Sequence, residues 1–262
     1  MQFQAFYTYS KSIDEKSTIA GGDSRQEVTT ILNPNNLAGD RGLSAFDARQ
    51  NFVFTATYPF PFRFQNKVVG AILGGWAVNG IGTFRTGEPF TGRIGSNTAT
   101  GSSFDGDRWA PDRPNLLPGF SPNPTSGVTH GCAAITSITD PCHSPLISTA
   151  CKNVAPGTQL GTQALWFDPC AFIRPVSGSF GNLGRNTIIG PGLSNVDFSA
   201  QKVFKPTERI NLQFRAEIFN LFDQAHFYAP AFNVFAGSAG GIGRLIATPG
   251  GRLTQLGLKV IF

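Results

Sequence analysis

Between Ile210 and Ile218 the chain alternates strictly. Ile210, Leu212, Phe214, Ala216 and Ile218 are apolar, and Asn211, Gln213, Arg215 and Glu217 between them are polar. A helix would gather positions 210, 213, 214 and 217 on one side and mix Ile and Phe with Gln and Glu. A period of two therefore means a strand with one apolar face and one wet face. Five more stretches repeat it. Phe3, Ala5, Tyr7 and Tyr9 alternate with Gln2, Gln4, Thr8 and Ser10, with Phe6 the exception. Phe52, Phe54, Ala56 and Tyr58 alternate with Asn51, Val53, Thr55 and Thr57. Trp76, Val78 and Phe84 share a face with Gly80 and Gly82, opposite Asn79, Thr83 and Arg85. Val196, Phe198, Ala200 and Phe204 alternate with Asn195, Asp197, Ser199 and Gln201, and Lys202 interrupts the apolar side. Leu256, Leu258, Val260 and Phe262 alternate with Gln255, Gly257 and Lys259.

Each stretch extends over about 10–12 residues, or roughly 35 Å at ~3.3 Å per residue. Tilted by about 40°, such a strand crosses a hydrocarbon layer of about 25 Å, whereas strands in soluble sandwiches usually run about 5–6 residues. Aromatic candidates for the belts at the membrane interfaces are Tyr9, Tyr58, Phe60, Trp76, Phe204 and Phe262. The connections alternate in length: residues 13–48 are long, 61–73 short, 89–192 very long, 205–209 a tight Pro-containing turn, and 223–251 long. Long loops outside and short turns in the periplasm are the asymmetry of an outer-membrane barrel. The competing fold is a soluble β-sandwich with insertions.

Only 14% of residues are charged while the chain carries 24 Phe, which argues against charge-driven disorder. A net charge of +5 with scattered basic residues gives no nucleic-acid stripe. The N-terminus lacks a basic region followed by an apolar core, so no signal peptide is expected there, and a truncated or split reading frame is suspected. Residues 68–84 are apolar, but five glycines and Asn79 make a poor membrane helix, and a turn followed by a strand is expected.

The four cysteines, Cys132, Cys142, Cys151 and Cys170, cluster in one polar stretch. Disulfides in an oxidising compartment are favoured, with three full pairings open, and His130 and His143 nearby make a metal site the sharper alternative. Asn79, Arg85, Asp197, Gln201, Arg215, Glu217 and Lys259 are the candidates for a lumen-facing set, weighed against plain cross-strand pairing in a wet interior. Asp105, Asp107 and Asp112 lack the full oxygen set of a calcium loop and are expected in a solvated turn. Gly237, Gly240, Gly241 and Gly243 do not sit in a βαβ unit and are read as loop. His130, His143 and His226 all fall in loops, and no nucleophile elbow occurs. No enzymatic chemistry and no cofactor are expected.

Several motifs together carry a family resemblance. Residues 212–223, Leu-Gln-Phe-Arg-Ala-Glu-Ile-Phe-Asn-Leu-Phe-Asp, resemble a stretch near the C-terminus of TonB-dependent outer-membrane receptors of the Oar-like branch, whose members often carry a carboxypeptidase-regulatory-like domain. Residues 7–14, 40–49, 73–81, 180–186 and 190–197 are further matches, in order along the chain and separated by variable loops. Each is weak alone, and the ordered set is specific. The resemblance implies an all-β fold: an antiparallel transmembrane β-barrel segment, about six C-terminal strands of a barrel of about 22, with residues 89–192 as a long extracellular loop region. It implies location in the outer membrane of a Gram-negative bacterium, and a role in the pore wall and ligand-capturing loops. The implied partners are outer-membrane lipid, an N-terminal plug with the remaining strands, TonB acting through that plug, the barrel-assembly machinery, and a small-molecule or oligomeric ligand. The sequence contains neither the plug nor the TonB-contacting box. Phe262 resembles the terminal aromatic of the assembly signal. Six strands are too few to close a barrel, so the chain alone is not expected to transport. The rival functions are a structural or adhesive outer-membrane protein and a disulfide-held secreted sandwich.

Overall fold

The computed structural model describes residues 1–17, 31–33, 35–94, 112–133, 139–204, 210–227, 230, 233–235 and 251–261. All six alternating stretches form strands: β1 (Gln2–Tyr9), β2 (Gln50–Pro59), β3 (Trp76–Arg85), β4 (Leu193–Phe204), β5 (Asn211–Phe219) and β6 (Leu253–Ile261). They make one antiparallel sheet in chain order. The sheet is open: β1 and β6 each pair on one side only.

Register turns the local alternation into two continuous faces, because directly opposed residues point the same way. One row runs Phe3, Ala56, Gly80, Phe198, Ile218, Thr254. A parallel row runs Tyr58, Val78, Ala200, Ala216, Leu256. These rows belong to the apolar face, which is most exposed on the edge strands β1 and β6. Phe3, Tyr7, Tyr9, Leu256, Leu258 and Val260 are between 51% and 68% exposed. Within the six strands only Gly82 and Lys202 are buried. The other sheets among the described residues are two-stranded. No second layer among the described residues covers Phe54, Phe214 or Leu258, as a soluble sandwich would require. An uncovered apolar face of this extent is stable against lipid and not against water.

Aromatic rings pave part of that face. Phe54 lies 6.4 Å from Phe3 and from Phe84, and 6.2 Å from Phe52. Gly82 makes this possible: a Cβ there would stand 2.2 Å from the Phe54 ring. Tyr58, Phe60, Phe62 and Phe64 continue the paving as a ladder with centroid spacings of 5.4, 5.5 and 6.4 Å. Of the expected belt residues, Tyr58, Phe60, Trp76 and Phe204 sit at the short-connection end of the strands and Tyr9 at the other; Phe262 lies outside the described residues.

The connection after β2 corrects the sequence reading. Instead of a simple turn, helix α1 (Lys67–Leu73) precedes β3. Asn66 caps it, its side chain accepting from the Val68 and Val69 amides. At its other end Lys202 Nζ donates to the carbonyls of Ala71 (2.6 Å) and Ile72 (2.5 Å). Trp76 Nε1 donates to the Ile72 carbonyl at 3.1 Å. The last carbonyls of a helix have no partner within it, so these donors replace water. Lys202, the break in the apolar pattern of β4, is thereby 2% exposed although it stands on the lipid-compatible face. Its ammonium also lies over the rings of Phe204 (4.4 Å) and Trp76 (5.4 Å).

The protein's buried core is in the long connections. Phe90, Ile94, Phe167, Ala171, Phe172, Leu183, Ile188, Val234 and Phe235 form one cluster. A second cluster holds the four cysteines with Ile147. Helix α2 (Thr149–Asn153) and the short pairings 89–90 with 188–189 and 115–116 with 172–173 frame this cap. The described part of the 89–192 region is thus a folded body rather than a bare loop.

Candidate functional site

The face opposite the apolar one carries the polar residues. Its central row crosses the whole sheet: Gln2, Thr57, Asn79, Ser199, Glu217, Gln255. Thr57 Oγ1 donates to Asn79 Oδ1 at 2.9 Å, and Asn79 Nδ2 donates to Ser199 Oγ at 3.2 Å. Asn79, Arg85, Asp197, Gln201, Arg215, Glu217 and Lys259 all fall on this face by register. They are not gathered into one cluster. Gln201 faces Arg215 across the β4–β5 ladder, Arg215 lies 3.4 Å from Glu217, and Lys259 faces Gln213. Arg85, at the long-connection end, pairs with Glu88 at 3.0 Å. Asp197 secures a turn, its Oδ1 accepting from the backbone of Asn220 and from Asn195 Nδ2, both at 2.9 Å. Asn220 sits at φ 53°, a left-handed position Asn tolerates better than most residues, and this turns the chain out of β5. The matched stretches 190–197 and 212–223 therefore meet here.

Beside this turn a groove of 710 Å³ opens on the polar face, lined in part by Asn195, Asp197, His226 and Arg252. His226 Nε2 donates to the Ser194 carbonyl at 3.2 Å, which sets the ring's orientation.

Above the long-connection end the cap is locked by charges that sequence reasoning missed. Arg113 pairs with Asp40 at 3.1 Å, their side chains 4% and 7% exposed. Arg113 Nη2 also donates to the Gly39 carbonyl at 3.0 Å, and Asp40 Oδ2 accepts from the Leu32 amide at 2.9 Å. Arg185 Nε donates to the Asp40 carbonyl at 2.7 Å, and its Nη2 pairs with Asp14. Asn186 Nδ2 donates to the Leu43 carbonyl at 2.7 Å. Gly42 packs so closely that a Cβ would lie 2.4 Å from the Arg185 carbonyl oxygen. The matched stretches 40–49 and 180–186 are thus the two halves of one junction, tying the first long connection to the cap. Burial lowers the Arg113 pKa, Asp40 opposes that, and Arg185 adds to it. At Asp14 burial works against ionisation. Hydrogen bonds from Ser44, Arg185 and Ser17, with the Arg185 charge, outweigh it and hold the carboxyl below its ordinary 3.8.

The cysteines pair as Cys132–Cys142 and Cys151–Cys170, with Cα separations of 5.5 and 4.8 Å. This resolves the three pairings left open. Closing loops of 10 and 19 residues is worth about 3 kcal/mol each on the chain-entropy account. His130, Asp140 and Cys142 do approach one another, His130 Nε2 lying 3.4 Å from Asp140 Oδ1, but the Cys142 sulfur is bonded to Cys132. The Cys142 amide, with His130 adding to it, holds the Asp140 carboxyl below its ordinary value. Asp112, expected in a solvated turn, is instead buried, and its carbonyl accepts from the Ile94 amide. Asp105, Asp107, the glycines from 237 to 243 and Phe262 lie outside the described residues.

No match is found among curated proteins or among solved structures. The profile of the outer membrane beta barrel domain family matches residues 1–255. A six-stranded antiparallel sheet with an apolar face that no second layer covers among the described residues, and a polar face behind it, agrees with that match. The chain belongs to the outer membrane beta barrel domain family and resides in the outer membrane of a Gram-negative bacterium.

Proposed function

We propose that the chain forms part of the wall of a TonB-dependent transporter of the Oar-like branch and supplies loops that capture its ligand. The observation that carries this reading is the stacking of two surfaces at one end of the sheet. A polar face spanning all six strands leads up to a groove, and a cross-linked, internally packed cap lies beyond it. Strand edges cannot be left to hydrocarbon, so further strands complete the wall at the open edges of β1 and β6. A barrel of about 22 strands has a lumen wide enough for a plug. Asn79, Gln201, Arg215 and Glu217 would then face that plug, and the groove at Asn195, Asp197, His226 and Arg252 would lie on the ligand's way in. TonB would supply energy through the plug, and the barrel-assembly machinery would insert the wall. The chain's own contribution is binding and confinement, with no catalysis.

The cap's independent core and disulfides also suit an adhesive or structural protein that displays the cap without transport. A photo-crosslinker at Asn79 separates the two in isolated outer membranes. Transport predicts capture of a plug polypeptide, with Leu258 as a lipid-capturing control. Capture of no polypeptide at Asn79, with the Leu258 control intact, would overturn the transporter reading in favour of display.

A further inference from the structure

Helix α1 contains no charged residue after Lys67, and it exposes Val68, Val69, Ile72 and Leu73 by between 37% and 67%. Val68 and Ile72 are four apart, as are Val69 and Leu73, so the four share one side of the helix. Seven residues with two β-branched valines and a glycine do not hold a helix in water. This one is held from outside, by Asn66 at its start and by Lys202 and Trp76 at its end. A cation at a helix C-terminus is favourable, and here it comes from a strand 130 residues away. The apolar sheet face, already committed to lipid, runs through Trp76 and Phe204 directly into α1. The Phe60–Phe62–Phe64 ladder lies alongside it. In an outer-membrane barrel the short connections stand at the periplasmic rim, where the lipid-facing belt meets phospholipid headgroups.

We propose that α1 is an interfacial anchor. Its Val68, Val69, Ile72 and Leu73 side enters the acyl–headgroup boundary of the periplasmic phospholipid leaflet, and Lys202 and Trp76 fix it against the wall. Lys202 is a positioning residue that orients α1 and keeps its own charge out of lipid.

The test uses Val68→Cys and Ile72→Cys, each labelled with an environment-sensitive fluorophore in the full protein in isolated outer membranes. All native cysteines are in disulfides, so the introduced thiol is the single labelling site. Nitroxide-bearing phospholipid should quench both labels at least threefold more than a label at Ser121→Cys, an exposed cap position, and aqueous iodide should show the reverse order. Adding Lys202→Met should at least halve the lipid quenching while heat-modifiability on gels stays unchanged. Trp76→Phe, which removes the indole N–H, should act in the same direction if the lysine variant fails to assemble. Equal iodide access at positions 68, 72 and 121 would overturn the anchor. Exclusion of both quenchers would also overturn it, since it would show a protein surface covering α1. Unchanged quenching in both tether variants would overturn the role given to Lys202 and Trp76.

Discussion

Asp40→Asn perturbs the cap's lock at its least exposed ion pair. Asp40 and Arg113 are 4–7% exposed at the side chain and 3.1 Å apart. The variant keeps an oxygen for the Leu32 amide but removes the charge that balances Arg113. Breaking one side of a buried pair typically costs about 3–5 kcal/mol, because the other charge stays buried alone. At about 1.4 kcal/mol per decade, that raises the opening constant of the junction roughly 10²- to 10³-fold or more. Hydrogen exchange, read by mass spectrometry on peptides covering 112–117 and 180–189, reports that opening directly. The six strands should keep their protection, since the junction touches none of their ladders. A double variant, Asp40→Leu with Arg113→Met, should recover most of the loss, because it removes the stranded charge as well. Less than a threefold change in the single variant would refute the assignment of the junction as the cap's lock. A double variant no better than the single would refute the electrostatic argument.

Other consequences are smaller in scope. Gly82→Ala should displace the Phe54 ring and destabilise the sheet by about 1–3 kcal/mol as an overpacked site, measured as a lowered midpoint for loss of heat-modifiability, while Gly257→Ala, with open space at its Cβ, should not. The Asp14 carboxyl is held below its ordinary 3.8, so its contribution is full above the unfolded value and is lost as pH falls through the lower folded value. Cap exchange should therefore stay slow at pH 4 and accelerate only in stronger acid; acceleration already between pH 5 and 4 would contradict that sign. Reduction of both disulfides should cost the cap about 3 kcal/mol per bridge and expose residues 130–170 to protease, with the sheet left intact.

The strands were legible because period two is a local property that each segment carries by itself. Isolated exceptions were informative too: Phe6 lies on the polar face as its parity requires, and Lys202 on the apolar face marked a tether. What it tethers was hidden, since α1 has weak intrinsic propensity and takes its support from Asn66, Trp76 and Lys202. The cap was illegible for the same kind of reason. Phe90, Phe167, Ile188 and Val234 have no period, and their burial depends on contacts between distant connections. Arg185 reaches Asp40 across 145 positions. The cysteine pairing needed three-dimensional proximity, which spacing does not provide. Alternation puts the seven polar candidates on one face, and register does the same, but Asp197's hold on Asn220 depends on a turn geometry that no periodicity reports.

The central claim is that one face of the sheet meets lipid and the other meets water. Single cysteines introduced from residue 211 to residue 218, in membranes and probed with a membrane-impermeant maleimide, measure it directly. The account predicts labelling at 211, 213, 215 and 217 and protection at 212, 214, 216 and 218. Uniform labelling along the strand, or labelling of the even positions instead, would contradict it.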